Sequence, residues 1–161
     1  MTENRDQIRE GGCACDAVRY RMAGAPIFVH CCHCRSCQRE TGSAFALNVL
    51  IEADRVTLLD GDVELVNTPS ESGAGQKIFR CSHCRVALWS NYAMPVGERI
   101  RFVRAGTLDD SGSIAPDIHI FTRSKVPWLI LADDVPVMAE YYDRKTIWPA
   151  ESLARYDALR G

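Results

Sequence analysis

Residues 30–37 read HCCHCRSC and hold four of the chain's eight cysteines and two of its four histidines. On an extended segment, side chains at positions i and i+2 point to the same face. Cys32 and Cys34 therefore share a face, and Cys37 follows them in a C-x-x-C pair, while Cys31 and His33 alternate to the other face. The stretch predicts a metal site with three thiolates and a fourth position open to exchange, which is typical of catalytic zinc.

The remaining cysteine pairs predict a second, closed site. Cys13 and Cys15 form a C-x-C pair, and Cys81 and Cys84 form a C-x-x-C pair. Each spacing directs two thiolates at one point, so together they supply the four ligands of a tetrahedral structural zinc. We therefore expect two zinc ions, one structural and one catalytic, with the structural ion tying the N-terminal strand to a distant hairpin.

Other uses of the same C-x-x-C pairs remain open. Cys34 and Cys37 could join Cys81 and Cys84 in one ordinary zinc ribbon, which would leave the first C-x-C pair free. A C-x-x-C pair such as Cys34–Cys37 could also act as a thiol redox centre.

Cys31 and His33 leave a further alternative. Either side chain could complete the three-thiolate site, in which case both zinc ions would be structural. Free cysteine commonly packs in protein cores, so we expect Cys31 to be a small buried residue rather than a ligand.

Composition excludes several classes of protein. The 161 residues carry a net charge of −2 and a sequence pI of about 6.1, which argues against a nucleic-acid binder built on a basic surface. No apolar run approaches the roughly 20 residues that span a bilayer, so we expect no membrane partner. The polar N-terminal stretch MTENRDQIREGG has no apolar signal region. Cysteines this close together favour metal ligation over disulfides, and we expect a cytoplasmic, reducing location.

Short alternating stretches separated by turns predict a mostly-β fold. The expected strands cover 17–22, 45–51, 62–66, 76–80, 86–90, 99–105 and 117–121. A short helix is expected over 35–42, ending at Gly42, and a C-terminal helix over 149–160. We expect one domain over residues 1–161, with residues 1–10 as a flexible tail.

Five stretches carry a resemblance to a known family: GGCACDAVRY (11–20), CHCRSCQRETGSAF (32–45), FRCSHCRVALW (79–89), GTLDD (106–110) and PDIHIFTRSKVPW (116–128). In this order they resemble the glutathione-dependent formaldehyde-activating (GFA) family, which includes the centromere protein V group. The resemblance implies β-tent-like antiparallel sheets around zinc, and it implies the same metal ligands as the spacing. Asp16 stands where glycine is common in the family, and Cys31 is an addition.

The resemblance also implies an activity. The family's reaction joins glutathione to formaldehyde to give S-(hydroxymethyl)glutathione, and it is classed as a carbon–sulfur lyase for the reverse direction. The expected partners are glutathione or another small thiol together with an aldehyde, and we also consider a homodimer. The alternative is a non-enzymatic zinc module with two structural zinc ions, binding a protein through the apolar stretch VPWLILADDVPVMAEYY (126–142).

Candidate catalytic and substrate-binding residues follow from the chemistry of this reaction. Glutathione carries two carboxylates, so cations near the thiolates should bind it, and a histidine that titrates near neutrality could move a proton. The expected catalytic set is Cys32, Cys34, Cys37 and His119. The expected substrate-binding set is Arg35, Arg39, Ser124, Lys125 and Trp128.

Overall fold

The computed structural model describes residues 7–161, and the chain folds mainly into β-strands, which confirms the predicted fold class. Each strand is five to seven residues long except the last, which has three. The strands are β1 Ile8–Gly12, β2 Arg19–Ala23, β3 Phe28–Cys32, β4 Ala46–Glu52, β5 Val56–Asp60, β6 Val63–Thr68, β7 Gln76–Cys81, β8 Ala87–Tyr92, β9 Ile100–Arg104 and β10 Ile118–Ile120.

The strands form two sheets. The smaller sheet has the order β1-β2-β5, and the larger has the order β10-β3-β4-β9-β8-β7-β6. All neighbouring strands are antiparallel except β10 and β3, which run parallel with His119 opposite Cys31. The larger sheet is therefore mixed, whereas the prediction was of antiparallel sheets alone.

Alternation along the strands builds a separate core on each face of the larger sheet. Val49 and Val103 belong to the core that packs against Tyr20 of the smaller sheet. Leu50 and Phe102 belong to the opposite core, which also contains the C-terminal aromatic residues. Because consecutive residues face opposite cores, the register of β3 and β10 decides which side chains can meet.

Within residues 7–161, three α-helices accompany the sheets: α1 Arg35–Thr41, α2 Arg144–Ile147 and α3 Ala150–Ala158. Helix α1 begins after Cys34, whose side chain accepts a hydrogen bond from the Cys37 backbone N–H, and it ends at Gly42. Gly42 adopts a left-handed conformation with φ of 63°, as glycine often does after a helix. Pro149 lies one position before α3, so both predicted helices are confirmed to within about one turn.

Three strands and the short helix α2 were not expected from the sequence. Residues 8–10 belong to β1, so the expectation of a flexible tail is wrong for them, and residues 1–6 lie outside the described residues. The sequence IREGG of β1 has low strand propensity, but every residue from Ile8 to Gly12 pairs with β2. Pairing with a neighbouring strand therefore outweighs local preference here.

None of the helices described here is long and apolar enough to cross a membrane.

Candidate active site

Four cysteines from distant parts of the chain meet in one cluster. The Sγ atoms of Cys13, Cys15, Cys81 and Cys84 lie within 4.8 Å of one another. Cys15 Sγ is 3.5 Å from Cys13 Sγ and 3.8 Å from Cys81 Sγ. A disulfide requires about 2.05 Å, and all four are free thiols. With zinc–sulfur bonds of about 2.3 Å, tetrahedral geometry separates the sulfurs by about 3.8 Å, so the cluster fits a zinc ion.

Tight turns shape the two halves of this four-thiolate cluster. Asp16 and Arg85 adopt positive φ angles of 61° and 65° just after the two cysteine pairs. The Val18 N–H donates to Cys13 Sγ, and the His83 N–H donates to Cys81 Sγ. The φ of Asp16 explains why glycine suits this position, since glycine adopts positive φ without steric cost.

A second cluster lies where β3 leads into α1. The Sγ atoms of Cys32, Cys34 and Cys37 lie within 4.8 Å of one another, and all three residues are buried. Hydrogen bonds from the thiols of Cys32 and then Cys37 lower the pKa of Cys34 to about 3. Hydrogen bonds with Cys34 and, to a smaller extent, with Cys37 raise the pKa of Cys32. The thiolates therefore oppose one another's ionisation, and a bound cation would relieve that repulsion.

The two clusters are separate, and each keeps its own ligands. Within residues 7–161, no further Cys, His, Asp or Glu joins Cys32, Cys34 and Cys37 in a metal-sized group. The single zinc ribbon of Cys34 and Cys37 with Cys81 and Cys84 is therefore wrong. Neither Cys31 nor His33 belongs to the group of Cys32, Cys34 and Cys37, so the structure does not support either of them as a fourth metal ligand there. The residues fit one metal with four thiolates and another with three.

The three-thiolate cluster opens onto a cavity of about 370 Å³. Small-molecule sites commonly have volumes of about 300–1,000 Å³. Its floor is the face of the larger sheet, and its walls come from the loop at 70–72, the turn at 93–94, Phe121 and the C-terminal segment. The floor side chains are His30, Cys32, Asn48, Gln76, Tyr92, Phe102 and Ile120, and the C-terminal side chains are Tyr141 and Arg144.

Charge in the cavity is sparse. Burial lowers the pKa of His30 to about 3, so its imidazole is neutral near pH 7. Tyr142 Oη accepts a hydrogen bond from Trp148 Nε1 and lies 2.6 Å from His30 Nε2, so the tyrosine proton can point at the imidazole. Arg144 is the only Arg or Lys among the described residues that line the cavity, and Glu71 is the only carboxylate.

Comparison with known proteins identifies the family. The family model described as "Glutathione-dependent formaldehyde-activating enzyme" matches residues 8–124. This chain belongs to the GFA family. A Halomonas elongata protein named "Putative glutathione-dependent formaldehyde-activating enzyme" is 26% identical over 161 residues. The alignment covers 96% of this chain and 97% of the length of the Halomonas protein. A crystal structure of a Rhodobacter sphaeroides protein superimposes on this chain with a TM-score of 0.45 and 16% sequence identity. The superposition covers 66% of this chain and 91% of the Rhodobacter chain.

His119 of this GFA chain does not reach the three-thiolate cavity. It lies opposite Cys31 on the other face of the sheet, and its Nδ1 is 2.9 Å from His33 Nε2. Cys31 Sγ is 3.6 Å from the same His33 nitrogen, and all three residues are buried. A proton shuttle at the thiolates is therefore not supported for His119, because the parallel register of β10 turns it away.

The five predicted substrate-binding residues lie outside the cavity lining. Ser124 Oγ donates to the backbone oxygens of His33 and Phe121, and Lys125 Nζ donates to those of Val126 and Leu129. These two side chains support the loop after β10 rather than a ligand. Of the other three, Arg35 and Arg39 lie on the exposed side of α1, and Trp128 is 72% exposed.

Several polar residues that line the cavity were not among the predicted site residues. His30, Asn48, Tyr141 and Arg144 line the cavity, and the last two lie beyond the residues that the GFA family model matches. A polar residue in the apolar stretch FALNVLI was the one local signal for Asn48. Arg144 carries no such signal, because its position depends on how the C-terminal segment docks.

Proposed function

We propose that this GFA chain is a zinc-dependent carbon–sulfur lyase that forms or cleaves the carbon–sulfur bond of S-(hydroxymethyl)glutathione or a related thiol–aldehyde adduct. The observation that carries the proposal is the cluster of Cys32, Cys34 and Cys37 at the edge of a cavity of ligand size. Membership of the family supports glutathione and formaldehyde as the substrate classes.

The two cysteine clusters would hold two zinc ions with different roles. Cys13, Cys15, Cys81 and Cys84 would hold a structural ion, because four protein ligands complete a tetrahedron. Cys32, Cys34 and Cys37 would hold a catalytic ion, because three leave one position open. Zinc at the second cluster would supply Lewis acidity and favour the thiolate form of a nearby substrate thiol.

The reaction itself is an addition to a carbonyl group. A bond forms between the thiol sulfur and the aldehyde carbon, the carbonyl π electron pair moves to oxygen, and the oxygen ends as a hydroxyl after taking up the proton that the thiol lost. Cleavage reverses each movement. The cavity walls would hold thiol and aldehyde together and shield them from bulk water, which lowers the entropic part of the barrier.

Arg144 is the proposed anchor for a substrate carboxylate. Its guanidinium lies 4.1 Å from the centre of the Tyr156 ring and 5.9 Å from that of Trp148. No carboxylate within residues 7–161 forms a salt bridge with it. A planar, stacked guanidinium with free donors matches a carboxylate in a two-point contact. Glutathione offers two such carboxylates.

The positively charged ammonium group of glutathione also has a candidate partner in the cavity lining. Glu71 lines the cavity, and its Oε1 accepts a hydrogen bond of 2.8 Å from Arg123. Its second carboxylate oxygen has no assigned partner within residues 7–161, so it could accept from the substrate ammonium. The proposed pose places the charged ends of the peptide on Arg144 and Glu71 and its thiol towards the cysteine cluster.

The proposal is tested by exchange NMR on glutathione mixed with labelled formaldehyde, with and without catalytic amounts of protein. The adduct also forms unaided, so the rates are compared rather than the product. Acceleration that disappears in Cys34→Ser and persists in Cys31→Ala would support the proposal, because Cys31 lies on the other face of the sheet. If the wild-type protein with both ions bound does not accelerate the exchange, glutathione and formaldehyde are not its substrates.

One observation favours the alternative of a non-enzymatic zinc module. Trp128 and Ile130 are 72% and 91% exposed in the loop after β10, as a protein-binding surface would require. Cobalt substitution separates the two functions, since four sulfurs at both sites favour the module. An exchangeable ligand at the three-thiolate site favours the enzyme.

A further inference from the structure

Asn48 is a polar side chain on an apolar part of the cavity floor. It lies in the middle of β4 between Ala46 and Leu50, which share its face, and it is 3% exposed. The cavity with the three thiols is lined in part by Asn48. A primary amide has two donors and one acceptor oxygen, and burial of any of them without a partner is unfavourable.

Arg104 determines which half of the Asn48 amide is free. The two residues are paired in the register of β4 and β9, and Arg104 Nη1 donates to Asn48 Oδ1. A guanidinium can only donate, so the amide atom that faces it must be the oxygen. Within residues 7–161, Asn48 Nδ2 has no hydrogen-bond partner in the structure. The free donor of a buried, oriented amide is therefore left for a ligand in the cavity.

We infer that Asn48 is a catalytic hydrogen-bond donor to the oxygen of the aldehyde, and that Arg104 is the residue that positions it. The inference rests on the proposed function. As the thiol sulfur bonds to the carbonyl carbon, the π electron pair moves to oxygen and negative charge develops there. Asn48 Nδ2–H would stabilise that charge until the oxygen takes up its proton, as oxyanion-hole donors do in acyl transfer.

The donor is fixed before the substrate binds. Arg104 is itself 6% exposed, and its Nε and Nη2 have no partner within residues 7–161. Its positive charge also favours negative charge in the adjoining cavity. A dipole held in place costs no reorganisation when the charge appears, which makes a single fixed donor effective in an enclosed site.

Asn48→Asp is the decisive variant, because it keeps the shape and the acceptor for Arg104 but replaces the donor with a negative oxygen. Exchange NMR on glutathione and labelled formaldehyde should show turnover reduced about 100-fold. The Kd of S-methylglutathione, which lacks the aldehyde oxygen, should stay within twofold of wild type. Asn67→Asp makes the same chemical change on the exposed edge strand β6 and should keep full turnover.

Each outcome decides the inference. Turnover within threefold of wild type in Asn48→Asp would overturn it, and so would an equal loss of turnover and of S-methylglutathione binding, since Asn48 would then hold the thiol. No acceleration by the wild-type protein would overturn the proposed function and this inference together. If Asn48→Asp loses metal or fails to fold, Asn48→Ala is subjected to the same two measurements, because its methyl group removes the donor without adding a negative charge.

Arg104 is tested separately as a positioning residue. Arg104→Lys can still donate to Asn48 Oδ1 and should keep more turnover than Arg104→Met, which cannot donate. Both variants should bind S-methylglutathione as wild type does, which separates positioning from a general loss of structure. If Arg104→Met turns over as fast as the wild-type protein, Arg104 is not a positioning residue for Asn48.

Discussion

Replacing Arg144 with methionine tests the proposed substrate pose most directly. Methionine keeps an unbranched apolar chain that can still pack on the Tyr156 ring, but it removes the charge 4.1 Å above that ring. The cation–π contact contributes about 0.5–1 kcal/mol at a partly exposed site. We therefore expect only a small fall in melting temperature and no loss of metal, since the candidate metal ligands are the cysteines of the two clusters and not Arg144.

The expected effect on substrate binding is larger than the effect on stability. A hydrogen bond to a charged group contributes about 1.5–3 kcal/mol, which corresponds to about 10- to 100-fold in affinity. Arg144 is half-buried, so solvent screens part of its charge and the lower end of this range applies. We expect Arg144→Met to raise the KM for glutathione about tenfold, with little change in kcat, because the contact is made equally before and during bond formation.

The assay is the exchange rate as a function of thiol concentration, measured with glutathione and with 2-mercaptoethanol, which has no carboxylate. The KM for 2-mercaptoethanol should not change in Arg144→Met. Lys145→Met removes the same charge one residue away at an exposed position and should leave both thiols unaffected. An unchanged KM for glutathione, or an equal rise for both thiols, would refute the carboxylate anchor.

Three further predictions concern stability and metal. Burial opposes ionisation of Glu52, but hydrogen bonds from Arg155 lower its pKa in the folded chain. Its stabilisation is therefore fully present above the unfolded pKa of about 4.3 and is lost progressively as pH falls from there through the lowered pKa of the folded state. Glu52→Gln should therefore cost about 3 kcal/mol in urea unfolding at pH 7 and less at pH 3, and an equal cost at both would contradict this. Removal of metal by a strong chelator should lower the melting temperature. Cys81→Ser should lower it more than Cys34→Ser, because of the two clusters only the four-thiolate cluster joins the two sheets. Calorimetry combined with metal analysis measures the melting temperatures of the two variants and tests this ranking. Tyr142→Phe leaves two buried ring nitrogens without a partner and should cost about 1–3 kcal/mol in thermal unfolding, whereas a neutral result would show that water replaces the hydroxyl.

Sequence spacing predicted the local part of each cysteine cluster. C-x-C on an extended segment and C-x-x-C in a turn or at a helix start direct two thiols to one point whatever the rest of the chain does. The same short-range logic placed α1, its end at Gly42 and most of the strands. Which half-sites meet was left open by spacing, and the sheets decide it by bringing Cys13 and Cys15 to Cys81 and Cys84.

Side-chain direction across strands was not predictable in the same way. His119 belongs to a stretch with the right chemistry, yet it faces His33 and Cys31 because β10 pairs in parallel with β3 and one residue of register reverses the face. The arginines of α1 are close to the thiolates in sequence, but the helix presents them to solvent. Nearness along the chain is therefore a poor guide to a binding site.

The sequence by itself determined the mostly-β class, the cysteine pairs of the two candidate metal sites and the family resemblance, because these depend on residue type and on spacings of two or three positions. Only the tertiary structure decided the substrate cavity. Its floor comes from six strands, and its charged wall comes from a C-terminal segment whose Trp148 stacks on Phe28 at 5.2 Å between ring centres. Contacts between segments more than a hundred residues apart arise from packing, and no local pattern encodes them.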